Sequence, residues 1–355
     1  MKARTRRGGF ISSNQAAAER SEAGDESRNA AALITRGASP LALLLLSTLL
    51  LTGCIGDPAA RDPAPPPRDL PRLSYAEIAQ RYNRNLAPLD RLWSRSDLVV
   101  RWIEQDGDER AESGDGHFIY VPPRRVALTL GKLGKTVLWA GSNDDHYWLI
   151  DNLDDGVAYV GDHGPDAPDA IHAPARNAPP GPLPFRPNDV GFLLGLRPLD
   201  ASPPAGRPGY AYVAPARNAY LIITPDRRVR LRLEPDRLLP VRVELFDPRG
   251  RVVAVSELSN HQPLDTPGLP DARRPRLATD AWLYAGETAA SNRPDRRESM
   301  HLELSGLSAA AHRVRPGVFD LDTLLDRYDP ARVERLDAPA TRRLVPATSP
   351  IPPTP

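Results

Sequence analysis

From Ser74 onward apolar residues recur at helical spacing. Tyr75, Ile78, Tyr82, Leu86, Leu89 and Trp93 fall on one helix face. Ser74 followed by Glu77 three residues later is the sequence of a capping box, which sets where the helix starts. Pro88 is expected to kink or split it. The period then drops to two. Thirteen short stretches read as strands: SDLVVRWIEQ, GHFIYV, RRVALTL, TVLWAGS, HYWLID and VAYVG, then YAYV, AYLIIT, RVRLRLE, LPVRVELFD, RVVAVSEL, RLATDAWLYAG and SMHLELSGL. Asp106-Gly107 and Asp247-Pro248-Arg249-Gly250 are turn signals, and Pro122-Pro123 stops a strand. Between the two runs, NDVGFLLGL predicts a short apolar helix with Asn188 as its N-cap. A late cluster, Val318, Phe319, Leu321, Leu324 and Leu325, predicts a closing segment packed back on the sheet. Consecutive short strands joined by turns give a fold that is mainly β with few helices (α+β), built on a large antiparallel meander.

A different pattern precedes this domain. Leu41–Leu51 is an unbroken apolar run, preceded by Arg36 and followed by Thr52, Gly53 and Cys54. It is too short to span a bilayer, which takes roughly 20 residues, but it suits a signal-peptide core of about 7–15 residues. Leu51-Thr52-Gly53-Cys54 is similar to the bacterial lipobox, in which the chain is cut before a cysteine that carries lipid. That resemblance implies cleavage between Gly53 and Cys54 and lipidation of Cys54. An ordinary secretory signal that happens to end near a cysteine is the alternative. The long segment before Arg36, with Arg4, Arg6, Arg7 and a mixed-charge run around Glu19–Arg28, departs from a normal signal and suggests an unused upstream start.

Composition narrows the picture further. Cys54 is the only cysteine among 355 residues, so no disulfide can form within the chain. Removing residues 1–53 leaves 302 residues, enough for one large domain or two small ones. The net charge is +1 for the whole chain. This near-neutral balance offers no electrostatic footing for nucleic acid. The 40 prolines concentrate in places. Asp57–Leu70 reads as a semi-rigid tether, Pro165–Pro187 as a loop and Leu344–Pro355 as a tail. The expected organisation is a signal segment at 1–53, a lipidated cysteine and tether at 54–72, a domain at 73–330 and a largely disordered extension at 331–355.

No catalytic signature stands out. DNLDDG (Asp151–Gly156) has Leu153 where an EF-hand loop needs an oxygen ligand. His146 and His163 sit at strand ends without metal-ligand spacing. GKLGK (Gly131–Lys135) lacks phosphate-loop spacing and leads from strand to strand, so it reads as a hairpin turn. No G-x-S-x-G elbow occurs. Neither an enzyme nor a cofactor is expected. In RRVRLRLE, Arg228, Arg230 and Arg232 fall on one strand face opposite Val229, Leu231 and Leu233. This is either a solvated convex face or a patch for lipid head groups.

The opening helix, the strand DLVVRWIEQ, the Pro122-Pro123 break, GKTVLWAGSNDDHYWLID and the mid-chain helix NDVGFLLGL before a second run of strands together resemble the LolA/LolB-type domain of bacterial lipoprotein carriers and receptors. The resemblance spans roughly Leu73 to Leu307. It implies a curved sheet forming a half-open barrel, closed by the N-terminal helix and the mid-chain helix around a hydrophobic cavity for acyl chains. Trp102, Trp139, Trp148, Phe192, Leu193 and Leu194 are candidates for the cavity wall, with plain core packing as the alternative. The implied protein is an envelope lipoprotein, lipid-anchored and facing the periplasm. Ile55 after the cysteine, in place of Asp, leans toward the outer rather than the inner membrane. Its expected partners are lipid or acylated protein, the membrane and other envelope proteins, with a role in lipid or lipoprotein trafficking. The competing expectation is a structural or assembly lipoprotein that uses the same domain to hold a protein.

Overall fold

In the computed structural model the described residues are 69–103, 107–152, 156–163, 185–285 and 298–336. Cys54, the lipobox-like segment, most of the tether and the tail from 344 lie outside them. The opening helix, α1, runs Tyr75–Leu86 with the capping box formed: the Ser74 hydroxyl accepts from the Glu77 N–H, and the Glu77 carboxylate accepts from the Ser74 N–H at 2.8 Å. Tyr75, Ile78, Ala79, Tyr82 and Leu86 are buried. The helix ends before Pro88 rather than kinking there. Leu89 is buried in the turn that follows, while Trp93 stands on a strand. Trp93 is in helical phase with Leu89, but from its strand it packs against the Ile119, Ala127 and Phe319 cluster instead.

Among the described residues fourteen strands form one sheet. The first run is β1 (Leu92–Ile103), β2 (Glu109–Val121), β3 (Arg125–Lys132), β4 (Lys135–Ser142), β5 (His146–Asp151) and β6 (Val157–Asp162). A short helix, α2 (Asp189–Leu193), precedes the second run: β7 (Tyr210–Ala214), β8 (Ala219–Ile223), β9 (Val229–Leu233), β10 (Pro240–Phe246), β11 (Val252–Pro263), β12 (Arg276–Ala285) and β13 (Ser299–Ser308). Helix α3 (Leu321–Tyr328) and strand β14 (Arg332–Arg335) close the described chain. Each run is an antiparallel meander, and the two join where β1 pairs β13, Leu98 opposite Leu302. β6 and β7 therefore lie toward opposite ends of the sheet, and the connection holding α2 leads from one arm to the other.

Two features correct the expectation of a purely antiparallel sheet of thirteen strands. β14 adds a parallel edge to β6, Val333 beside Ala158. Its sequence, RVER, carries no hydrophobic alternation because it is largely exposed. β2 begins seven residues earlier than GHFIYV; residues 109–116 are exposed or half-buried and are held by the ladder to β1 rather than by an apolar face. Pro122–Pro123 is a cis peptide bond between β2 and β3. Leu133-Gly134 turns β3 into β4 with both residues at positive φ, a hairpin as GKLGK suggested.

Alternation sorts the side chains onto two faces. The main core takes Leu98 and Val100 of β1, Phe118 and Tyr120 of β2, Leu128 and Leu130 of β3, the buried face of α1, and Val190, Leu193 and Leu194 around α2. Each such side chain removed from water contributes about 1.5–3 kcal/mol. On the opposite face, α3 covers Trp139, Trp148, Ile150, Ala158 and Val160 through Leu321 and Leu324, so the late apolar cluster does pack back on the sheet. No helix among the described residues is long and apolar enough to cross a membrane.

Candidate functional site

A cleft of about 500 Å³ opens where α1, α2 and the β8–β9 hairpin meet. Tyr82, Phe192, Leu199, Val229 and Leu231 supply apolar surface, with Pro123 and Pro198 beside them. Arg197, Asp200, Thr224 and Asp226 supply the polar groups. Alternation along β9 puts Val229 and Leu231 on this side and leaves Arg230 and Arg232 on the other.

The wall after α2 is held by backbone-directed hydrogen bonds from α1. The Asn83 amide donates to Leu199 C=O at 2.7 Å and accepts from Leu199 N–H at 2.8 Å. Tyr82 donates its hydroxyl to Gly195 C=O at 2.6 Å. Asn85 repeats the Asn83 pattern on Arg276, at 3.1 and 2.9 Å, and ties α1 to the start of β12. Gly195 has φ +65°, and a Cβ there would stand 2.5 Å from Pro240 Cγ, so only glycine fits this turn. On the far side of the cleft, Thr224 donates to Asp226 at 2.6 Å and accepts from Val229 N–H at 3.0 Å, which fixes the β8–β9 turn.

Several titratable groups are buried in and around the cleft. Asp189, the first residue of α2, is buried, and its Oδ1 has no hydrogen-bond partner. Burial pushes its carboxyl up from 3.8 to about 7, against the lowering influence of Arg186, Arg197 and Arg228. Arg197 stacks over the Phe192 ring, 4.1 Å from its centroid. Burial also raises Tyr82 well above the usual phenol range and Tyr120 to about 12. Tyr75 reaches about 12 through burial and then the negative charges of Asp200 and Asp226, and its hydroxyl has no partner. Among the described residues no cluster of three or more His, Cys, Asp or Glu could hold a metal ion.

The residues singled out in the sequence do not converge. Phe192 lines the cleft, Leu193 and Leu194 are buried in the main core, and Trp102 packs against that core half-buried. Trp139 and Trp148 stand on the other face beneath α3. Trp148 lies over Gly141, its cross-strand partner, where a Cβ would come within 2.6 Å of the indole. Asn188 does not cap α2: it is in helical conformation, makes no side-chain cap bond and leaves its Oδ1 buried without a partner. Arg230 and Arg232 share the outer face, whereas Arg228 precedes β9, bonds its N–H to Asp226 at 2.9 Å and acts on Asp189. Arg197, Asp200, Asp226 and Asp189 were not foreseen. The one signal was Asp189 itself, a charge at the head of an otherwise apolar helix.

No family model matches the chain, and no curated protein matches it. Three solved structures are similar to it. A domain from Vibrio parahaemolyticus described as a putative outer membrane lipoprotein-sorting protein is 12% identical, with 70% of this chain and 97% of that chain covered at a TM-score of 0.37. A DUF1329 family protein from Desulfovibrio piger is 14% identical, with 70% and 97% covered at 0.37. A LolA superfamily protein from Nitrosomonas europaea is 12% identical, with 71% and 99% covered at 0.36.

Proposed function

We propose that this chain is an envelope lipoprotein, anchored through Cys54, that holds the apolar part of an amphiphile in the cleft between α1, α2 and the β8–β9 hairpin. The observation that carries the reading is the cleft's make-up: Phe192, Leu199, Val229 and Leu231 offer an apolar surface inside a wall fixed by Asn83 and Tyr82. A volume of about 500 Å³ falls within the range of small-molecule sites. Arg197 and Thr224 supply buried polar groups in the lining for the polar part of such a ligand. In this reading the sheet is a half-open barrel with α1 and α2 as its closure, and the work is burial and release of acyl chains without bond chemistry. A lipid anchor makes a fixed acceptor in the outer membrane, facing the periplasm, a better fit than a free shuttle.

A second reading has its own support. Leu92, Leu98, Val100, Phe118 and Tyr120 fill the interior with the protein's own side chains. That suits a structural or assembly lipoprotein whose domain holds another protein. One experiment separates the two. The purified chain is titrated with a fluorescent fatty acyl probe, and its extract is searched for lipid by mass spectrometry. Saturable uptake that Phe192→Arg and Leu231→Arg abolish supports the amphiphile reading. Absence of both uptake and co-purified lipid overturns it.

A further inference from the structure

On the outer face, away from the cleft, the ladder from β8 to β11 brings like charges together. Arg232 of β9 is directly opposite Arg242 of β10, and Arg230 is directly opposite Glu244. A cross-strand pair of like charges weakens a sheet. Glu244 accepts from both Arg230 and Arg242, the latter at 2.8 Å, and Arg242 also donates to Glu257 at 3.0 Å. The carboxylates are thus engaged by these two arginines. The guanidinium groups of Arg232 and of Arg217, the latter on the β7–β8 turn, make no hydrogen bond or ion pair among the described residues. Arg217, Arg230, Arg232 and Arg242 line one pocket of about 330 Å³ with Ala214, Leu221 and Glu244. Four guanidinium groups against Glu244 and Glu257 leave a surplus of two positive charges. Arg232 is half-buried; desolvation, then Arg242 and Arg217, draw its pKa down, while Glu257 and Glu244 act the other way. Guanidinium forks match phosphate oxygens bidentately.

We propose that this pocket binds a phosphate-bearing anion, with Arg232 and Arg217 as the principal donors and Arg230 and Arg242 held in place by Glu244. The site does not depend on the cleft, because it uses the opposite side of β9. A phosphate head group in a membrane and a free phosphorylated solute share this chemistry, so the test uses one probe of each. The chain is prepared as Cys54→Ala so that no acyl anchor contributes. It is titrated calorimetrically with inorganic pyrophosphate and floated with vesicles of phosphatidic acid in phosphatidylcholine, against phosphatidylcholine alone.

Arg232→Gln is expected to weaken whichever probe binds about tenfold or more, the loss of a charge-assisted contact. Arg273→Gln, at an exposed arginine elsewhere, should leave binding unchanged. Because Arg232→Gln removes the Arg–Arg opposition, it should melt no lower than the parent. Arg217→Gln, on an exposed turn, provides the second variant. Pyrophosphate binding without preference for phosphatidic acid identifies a soluble anion, and flotation on phosphatidic acid alone identifies a lipid head group. The proposal is overturned if neither probe binds, or if Arg232→Gln and Arg217→Gln both bind as well as Arg273→Gln.

Discussion

The side-chain amide of Asn83 hydrogen-bonds both backbone groups of Leu199, at 2.7 and 2.8 Å, as a neighbouring strand would. One residue of α1 thereby sets the position of a segment 116 residues away that forms a wall of the cleft. Replacing Asn83 by Ala leaves that N–H and C=O without protein partners. The expected loss is about 1–3 kcal/mol of stability, read from urea denaturation. Acyl-probe uptake should fall by more than the change in folded fraction explains. Unchanged uptake in a folded Asn83→Ala chain would separate the wall from binding.

Asp189 makes stability depend on pH in an unusual sense. Its folded pKa is raised, from 3.8 to about 7. Between those values the folded chain holds a proton that the unfolded chain has lost, so this residue's contribution falls as pH rises from about 4 to about 7. His163 and His261, both lowered chiefly by burial, act the other way: the unfolded chain takes up their protons first, so stability falls as pH drops below about 6.5. The test is therefore a difference. Asp189→Asn should gain stability relative to the parent progressively from about pH 4 to about pH 7 and level off above that. A constant difference across that range would show that Asp189 does not titrate as described.

Ser74→Ala removes the capping box at the start of α1. A loss of about 0.5–2 kcal/mol is expected in chemical denaturation. Since Ser74 does not line the cleft, probe affinity in the folded chain should stay the same.

Trp148→Ala should cost about 3–5 kcal/mol, because it empties a fully buried site beneath α3. If the chain still folds, uptake of the acyl probe should persist, since Trp148 is on the face opposite the cleft. Loss of uptake without loss of structure would place the ligand under α3 instead.

Local chemistry was legible in the sequence, and long-range placement was not. The Ser74–Glu77 cap, the Leu133-Gly134 hairpin and the alternation of Arg230 and Arg232 against Val229 and Leu231 each depend on neighbours a few residues apart. β14 and the first half of β2 were missed because neither buries a face; both are held by backbone ladders. Alternation shows that Trp139 points away from Leu138 and Ala140, but it cannot say which face α3 will cover. The cleft was hidden for the same reason. Tyr82, Phe192 and Leu231 come from three segments that only the completed sheet brings together, and Asp189 looked like a helix-start charge until burial gave it another character.

The pairing of β1 with β13 joins the two meanders through residues about 200 positions apart. The centre of the sheet joins Leu98 to Leu302, so it cannot form until nearly the whole domain has been made. A centre of such high contact order closes late and slowly. Until then each meander exposes the strand edge meant for the other, an invitation to pair with the wrong chain. Until residues 299–308 arrive to pair with β1, those edges stay open to other copies of the chain.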